Sequence, residues 1–255
     1  MGQRGTGEAR RQLAGVLRAA ADALLGVVFC PSCAVCGALL LRPTEGPVCR
    51  ACWDSIRPLT PPLCDRCGDA LAPSCLPGET CRRCRRLPTS MARARAIGAY
   101  DGALRAIVHS LKYDGRRSLA PRLAALMRER GADVLAGAAC VVPVPLHRSR
   151  RRRRGFNQAA DLARSLGLPV RRALRRTRAT ESQTGLPAAR RHKNVRDAFA
   201  VTPASRRLRG AVVVLVDDVC TTGATLEACA RSLKAAGVQE VRALTAARVV
   251  APRRG

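Results

Sequence analysis

Apolar positions along this chain change their rhythm twice. Near the start, Leu13, Val16, Leu17, Ala20, Leu24 and Val28 recur at helical spacing on one side. This predicts an amphipathic helix over residues 1–29, packed on the body of the protein. Residues 30–88 show little periodicity. From residue 91 to 250, short apolar runs alternate with helical patterns, as in an α/β layer fold with a mainly parallel sheet and helices on both faces. Residues 94–100 read as a strand, 102–112 and 118–130 as helices, 140–145 as a strand and 156–166 as a helix. The unbroken apolar run AVVVLV at 211–216 predicts a central strand covered on both faces. A helix over 224–236, closed by Gly237, and a strand over 241–250 complete the pattern.

Composition adds two constraints. The 255 residues are 47% apolar, ample for a packed core, and carry a formal charge of +28 that points to anionic partners. The charge is uneven: residues 142–196 hold 16 Lys or Arg against Asp161 and Glu181. Only three of the 46 basic residues are Lys, so an Arg-rich solvated surface remains an alternative for any single Arg. No apolar run reaches the about 20 residues of a membrane span. Arg18 and Asp22 interrupt any signal-peptide core, with membrane association of the first helix as the alternative.

Ten of the thirteen cysteines fall within residues 30–88, eight of them in four C-x-x-C pairs: Cys33/Cys36, Cys49/Cys52, Cys64/Cys67 and Cys81/Cys84. Two such pairs complete a tetrahedral zinc site, so the segment predicts a double zinc ribbon with two structural Zn2+ ions supplying its folding energy. Sequential or crossed ligand sharing both satisfy the spacing. Persistent thiols fit a reducing compartment, hence a cytoplasmic location.

The stretch VVVLVDDVCTTGATL at 212–226 carries the candidate chemistry. A strand runs into Asp217 and Asp218, then into a loop of small residues at the start of a helix. Unpartnered N–H groups and the positive dipole end make such a helix start an anion site, and Gly223 allows close backbone approach. Carboxylates beside a phosphate repel it, so Asp217 and Asp218 are expected to face ribose hydroxyls or a metal-chelated sugar.

This strand–acid–loop–helix run resembles the phosphoribosyl-diphosphate motif of type I phosphoribosyltransferases. The resemblance implies that Asp217 and Asp218 hold the ribose 2′- and 3′-hydroxyls, while Thr221, Thr222, Gly223, Ala224 and Thr225 form the loop that cradles the 5′-phosphate. Together with the cysteine pairs, LKYDGRR (111–117) and VPVPLHRSRRRRRGFNQ (142–158), it resembles the ComF/GntX family, which joins a zinc ribbon to a phosphoribosyltransferase-like domain. The segment around Val144 then corresponds to a diphosphate-binding loop, with Arg148 and Arg154 placed to neutralise the leaving group. Phe156 reads as a helix-packing residue, and Asn157 and Gln158 as caps or ligands. Lys112 binds phosphate or serves as a helix-end cation. The polar stretch 177–194 corresponds to a hood over the site, with Gln183, Arg190 and Asn194 matching its polar positions.

Three functions follow as expectations. The first is a Mg2+-dependent enzyme moving a phosphoribosyl group from phosphoribosyl diphosphate to an unidentified acceptor. The second, implied by the family's link to natural competence, is binding of single-stranded DNA or the DNA-uptake machinery. Six aromatic residues are too few for a stacking-based binder, so such binding would be phosphate-led. The third is a regulator that senses the donor without catalysis.

Overall fold

Val213, Val214, Leu215 and Val216 are fully buried in the strand Val212–Cys220, and the sheet is laid out around them. The computed structural model describes residues 5–86, 89–177 and 198–250. In chain order, α1 (Gly5–Phe29), α2 (Arg50–Asp54) and α3 (Arg82–Arg86) precede β1 (Arg93–Ala99), α4 (Gly102–Tyr113), α5 (Ala120–Arg130) and α6 (Ala132–Leu135). Next come β2 (Cys140–Pro143), α7 (Arg148–Arg154), α8 (Gln158–Arg164), β3 (Leu174–Arg176) and β4 (Phe199–Val201). The last elements are β5 (Val212–Cys220), α9 (Ala224–Ala235) and β6 (Glu240–Arg248). The chain divides into two compact units, Met1–Ile56 and Arg57–Gly255.

In the larger unit, β1, β6, β5 and β2 pair in that order, all parallel. Both faces are covered, as such a sheet demands. Val213 and Leu215 of β5, Val241 and Ala243 of β6, and Cys140 and Val142 of β2 share a core with Leu226, Cys229 and Leu233 of α9. The alternate residues point the other way, toward α5 and α8, where Leu123, Met127 and Leu162 are fully buried. β3 and β4 form a separate antiparallel pair.

Both outer edges of the sheet are closed by irregular chain, which removes a template for aggregation. On β1, Ala94 N–H donates to the Arg66 carbonyl at 2.7 Å and Ala99 N–H to the Arg57 carbonyl at 3.2 Å. On β2, Val141 N–H donates to the Pro169 carbonyl and its own carbonyl accepts from Arg171, both at 2.9 Å.

The expected strands and helices of residues 91–250 are present, joined by α6 and the β3–β4 pair, which the pattern does not predict, and three further differences stand out. Residues 148–154, read as a charge run, form α7: the His147 side chain caps its start by accepting from Ser149 N–H, and Gly155 ends it at φ +77°. The next helix starts later than expected, at Gln158, because Asn157 Oδ1 accepts from Ala159 N–H at 3.1 Å and caps it there. The central strand continues beyond residue 216 through both acids to Cys220, paired with β6 throughout.

The helix expected at the N-terminus forms, and nothing within its own unit covers its apolar face. Leu13, Val16, Leu17, Leu24 and Val28 are exposed. Within its own unit α1 meets the turn Pro43–Glu45, where Asp22 accepts from Thr44 N–H at 2.8 Å. The 18 residues Gln12–Phe29 are apolar enough by composition to cross a bilayer, although Arg18 and Asp22 lie among them.

Gly98 on β1 has the Arg57 carbonyl oxygen where a Cβ would stand, and neither backbone can give way cheaply. Gly98→Ala is therefore expected to destabilise the protein by about 1–3 kcal/mol, lowering the midpoint of a calorimetric melt by several degrees. An unchanged midpoint would show that the chain around Arg57 is not held against β1.

Candidate functional site

β5 carries Asp217 and Asp218 to the carboxyl edge of the sheet, where ligands bind in open α/β folds. There a cavity of about 810 Å³ is lined by five cations, Lys112, Arg150, Arg153, Arg154 and Arg176, and two acids, Asp217 and Asp218. The balance suits an anion carrying a group that needs carboxylates. Among its walls are also Thr221, Gly223, Ala224 and Thr225 from the loop before α9, and Val144 beyond β2.

The two acids differ. Asp218 is 5% exposed, and its Oδ1 pairs with Lys112 Nζ at 2.9 Å. Its buried Oδ2 has no hydrogen-bond partner among the described residues. A buried carboxylate oxygen without a donor is costly, and here it borders the cavity. Burial, reinforced by the adjacent Asp218 charge, raises Asp217 to about 7. Its Oδ1 accepts from the Asp218 N–H at 2.9 Å. Burial opposes the Lys112 charge, but the Asp218 carboxylate outweighs it, and the ammonium titrates above its usual value. Lys112 is thus a helix-end cation committed to an acid of the cavity.

The loop after β5 turns sharply because Gly223 adopts φ +76° at the N-cap of α9. The first N–H groups of α9 lack acceptors within the helix and face the same side as the loop. Thr222 is spent locally, its Oγ1 accepting from Ala224 N–H at 3.4 Å, and it is not among the lining residues.

The RRGFNQ stretch divides its duties. Arg154 lines the cavity, donates to Gln158 Oε1 at 2.8 Å and lies 5.0 Å from the Tyr113 ring centre. Asn157 is a cap, and its Nδ2 donates to the Val144 carbonyl at 3.0 Å. Val144 N–H donates to the Val216 carbonyl at 2.9 Å, so both backbone groups of Val144 are engaged. Phe156 lies 5.4 Å from the Arg117 guanidinium. It lines a neighbouring cavity of about 590 Å³, where Arg148 is found instead of at the acids. Gln183, Arg190 and Asn194 lie outside the described residues. Sequence reasoning did not single out Arg176 or Tyr100; one more Arg among 46 basic residues carries no local signal.

The cysteines resolve into two groups, Cys33, Cys36, Cys49, Cys52 and Cys64, Cys67, Cys81, Cys84, each with its sulfurs within 4.8 Å of one another. This is the sequential arrangement. Tetrahedral Zn–S bonds of about 2.3 Å place sulfurs about 3.8 Å apart. The separations Cys33–Cys52 and Cys36–Cys49 are 3.8 Å and Cys67–Cys81 is 3.7 Å, so the thiols fit zinc in both groups. Each knuckle prepares one thiolate. Burial opposes it at Cys33, but N–H groups of Cys36, Cys49 and Val35 bring that thiol down to about 6; the equivalent bonds bring Cys64 to about 7. Burial keeps Cys52, Cys67 and Cys84 protonated, the last pushed up to about 11.

Native mass spectrometry is expected to show two zinc ions per chain, with Cys36→Ser and Cys81→Ser each losing one. Loss of both from either variant would contradict the sequential grouping. Metal uptake should release protons, because Cys52, Cys67 and Cys84 start protonated; a pH-stat titration that records none would contradict this.

A family model described as a phosphoribosyl transferase domain matches residues 152–254, and another described as a double zinc ribbon domain matches residues 24–85. Competence protein F of Haemophilus influenzae is 31% identical over 172 residues, covering 64% of this chain and 75% of the relative. DNA utilization protein YhgH of Salmonella typhimurium is 33% identical over 180 residues, covering 67% of this chain and 78% of the relative. A solved hypoxanthine phosphoribosyltransferase from Staphylococcus aureus aligns with a TM-score of 0.30 at 15% identity, over 49% of this chain and 61% of that one, too distant to carry an argument. A double zinc ribbon, a phosphoribosyltransferase domain and these relatives together make the chain a member of the competence protein F (ComF) family.

Proposed function

We propose that the cavity at the end of β5 binds phosphoribosyl diphosphate with Mg2+, and that the chain transfers the phosphoribosyl group to an acceptor. The observation that carries this reading is the buried Oδ2 of Asp218, without a partner among the described residues, beside Asp217 and the loop that opens α9. A ribose hydroxyl is a donor of the right kind for that oxygen, and the loop's amides suit a phosphate one sugar away.

In this reading the loop at 221–225 holds the 5′-phosphate and the paired acids orient the ribose. Asp217 and Asp218 are oxygen donors of the kind Mg2+ takes, and the ion, when bound, neutralises diphosphate charge. Arg150, Arg153 and Arg154 face the same space and stabilise the charge that develops on diphosphate as it departs with the bonding pair from the sugar's C1. The acceptor's nucleophile then forms the new bond to C1. The chain contributes position and charge, with no covalent intermediate.

Calorimetric titration with phosphoribosyl diphosphate and Mg2+ should give saturable binding that Asp218→Asn weakens at least about tenfold, the range expected when a charge-assisted hydrogen bond is lost. Wild-type protein that fails to bind the donor would overturn the reading. With Asp217 titrating near 7, binding that uses its carboxylate should strengthen as pH rises from 6 to 8. Because that folded-state pKa lies above the unfolded one, the buried charge costs stability above about pH 4, and fully above 7. Asp217→Asn should therefore melt higher than wild type at pH 8, by about 2–4 °C per kcal/mol recovered, while losing donor affinity.

One observation favours a second reading, binding of single-stranded DNA in keeping with the relatives' competence and DNA-utilization names. The neighbouring cavity is lined by seven arginines, Arg117, Arg148, Arg151, Arg164, Arg172, Arg175 and Arg176, against one acid, Asp161. Asp161 is engaged by Arg117 at 2.6 Å and by Arg164, which leaves the wall cationic. Affinity for a single-stranded oligonucleotide should then fall linearly in log–log form with salt, and Arg148→Ala/Arg151→Ala should flatten the slope by about 1.4. A slope untouched by these substitutions would exclude this wall as the DNA site. A turnover assay that shows donor binding without product would favour a donor-sensing regulator instead.

A further inference from the structure

The second zinc knuckle and the phosphate loop are joined on both sides of the loop. On the near side, Arg248 at the end of β6 is 3% exposed and reaches three groups at once. Its Nη1 donates to the Cys67 carbonyl at 2.9 Å and to Cys220 Sγ at 3.3 Å, and its Nε to Asp69 Oδ1 at 3.2 Å. Cys67 is a zinc-group residue and Cys220 is the residue before Thr221. On the far side, Glu227 in the first turn of α9 accepts from Thr89 Oγ1 at 2.7 Å and from Ser90 N–H at 2.9 Å, just beyond the knuckle.

Between these ties lies Arg83. It sits on α3, one residue before Cys84, so the short turn anchored by Cys81 and Cys84 fixes its backbone. Its Nη2 is 3.6 Å from where a Cβ on Gly223 would stand, with Cys220 Sγ 3.9 Å from the same point. Gly223 is glycine because of its positive φ, and the guanidinium lies at ordinary contact distance from the turn. Arg83 forms no hydrogen bond or ion pair with another described residue. A guanidinium placed beside a phosphate loop and committed to no acid is suited to bidentate contact with a phosphate.

We propose that the second zinc knuckle is part of the phosphate site. Arg83 donates to the phosphate held on residues 221–225, and metal at Cys64, Cys67, Cys81 and Cys84 fixes the position from which it does so. This rests on the loop being a phosphate site, and it adds a ligand-binding residue from outside the transferase domain match. The first knuckle, in the other unit, has no such role.

The test is equilibrium titration with two probes, ribose 5-phosphate alone and phosphoribosyl diphosphate with Mg2+, on protein whose zinc content is measured. Arg83→Gln, which leaves all eight thiols intact, should keep two zinc ions and lose at least about tenfold in affinity for ribose 5-phosphate. Arg83→Lys should recover part of that loss, because it keeps the charge but not the fork. Cys84→Ser should shed one zinc and weaken binding similarly, whereas Cys52→Ser should shed the other and leave affinity unchanged. Arg83→Gln binding ribose 5-phosphate as tightly as wild type would overturn the proposal, whatever the cysteine variants do. Wild type that binds ribose 5-phosphate but not the full donor would overturn the donor reading alone. Wild type that binds neither would overturn both.

Discussion

Two carboxylates on adjacent residues of a buried strand repel each other, and much of the surrounding structure answers that repulsion. Lys112 reaches in from the end of α4 to pair with Asp218, and the Asp218 N–H donates to its neighbour's Oδ1. Even so, Asp217 is driven up to about 7, and Asp218 keeps an oxygen without a donor among the described residues. A fold selected for stability alone would place a single hydrophobic residue at either position. The cationic walls from α7 and β3 face the same cavity, so an incoming anion meets positive charge there as well as the acids.

How much of this was legible in the sequence depended on whether a feature is local. The unbroken run 212–216 identified the central strand because both faces of a parallel sheet must be apolar, and the four C-x-x-C pairs identified the zinc sites because ligand spacing is a property of one turn. The small-residue loop before α9 was equally local. The rest depends on distant partners. Arg148 and Arg154 look alike in a run of arginines, yet α7 turns one toward each cavity. β3 and β4 are three residues each, too short to show alternation, and β4 is held by packing against α9. The apolar face of α1 was expected to be covered, and periodicity alone carries no information about what covers it.

The two knuckles show how one motif acquires different surroundings. In the first, Cys33 N–H donates to Ala38, Gly37 to Cys33 and Leu40 to Pro31; in the second, Cys64 donates to Asp69, Gly68 to Cys64 and Leu71 to Pro62. The bonds match one for one at an offset of 31 residues. What differs is outward. Gly68 lies so close to β1 that a Cβ would stand 2.5 Å from the Ala94 carbonyl oxygen, and Asp65 pairs with Arg93 at 2.9 Å. The second knuckle has become part of the sheet's edge.

That edge bears on the order in which the molecule is made. β1 is flanked by residues 57–68 on one side and by β6 on the other, and Arg93 must wait for Arg242 before its inner partner is synthesised. The outer cover, by contrast, precedes β1 in the chain and leaves the ribosome first. A nascent chain with a filled knuckle therefore exposes one open strand edge where a metal-starved one exposes two, so zinc supply during translation bears on whether the sheet closes on itself or on a neighbouring chain.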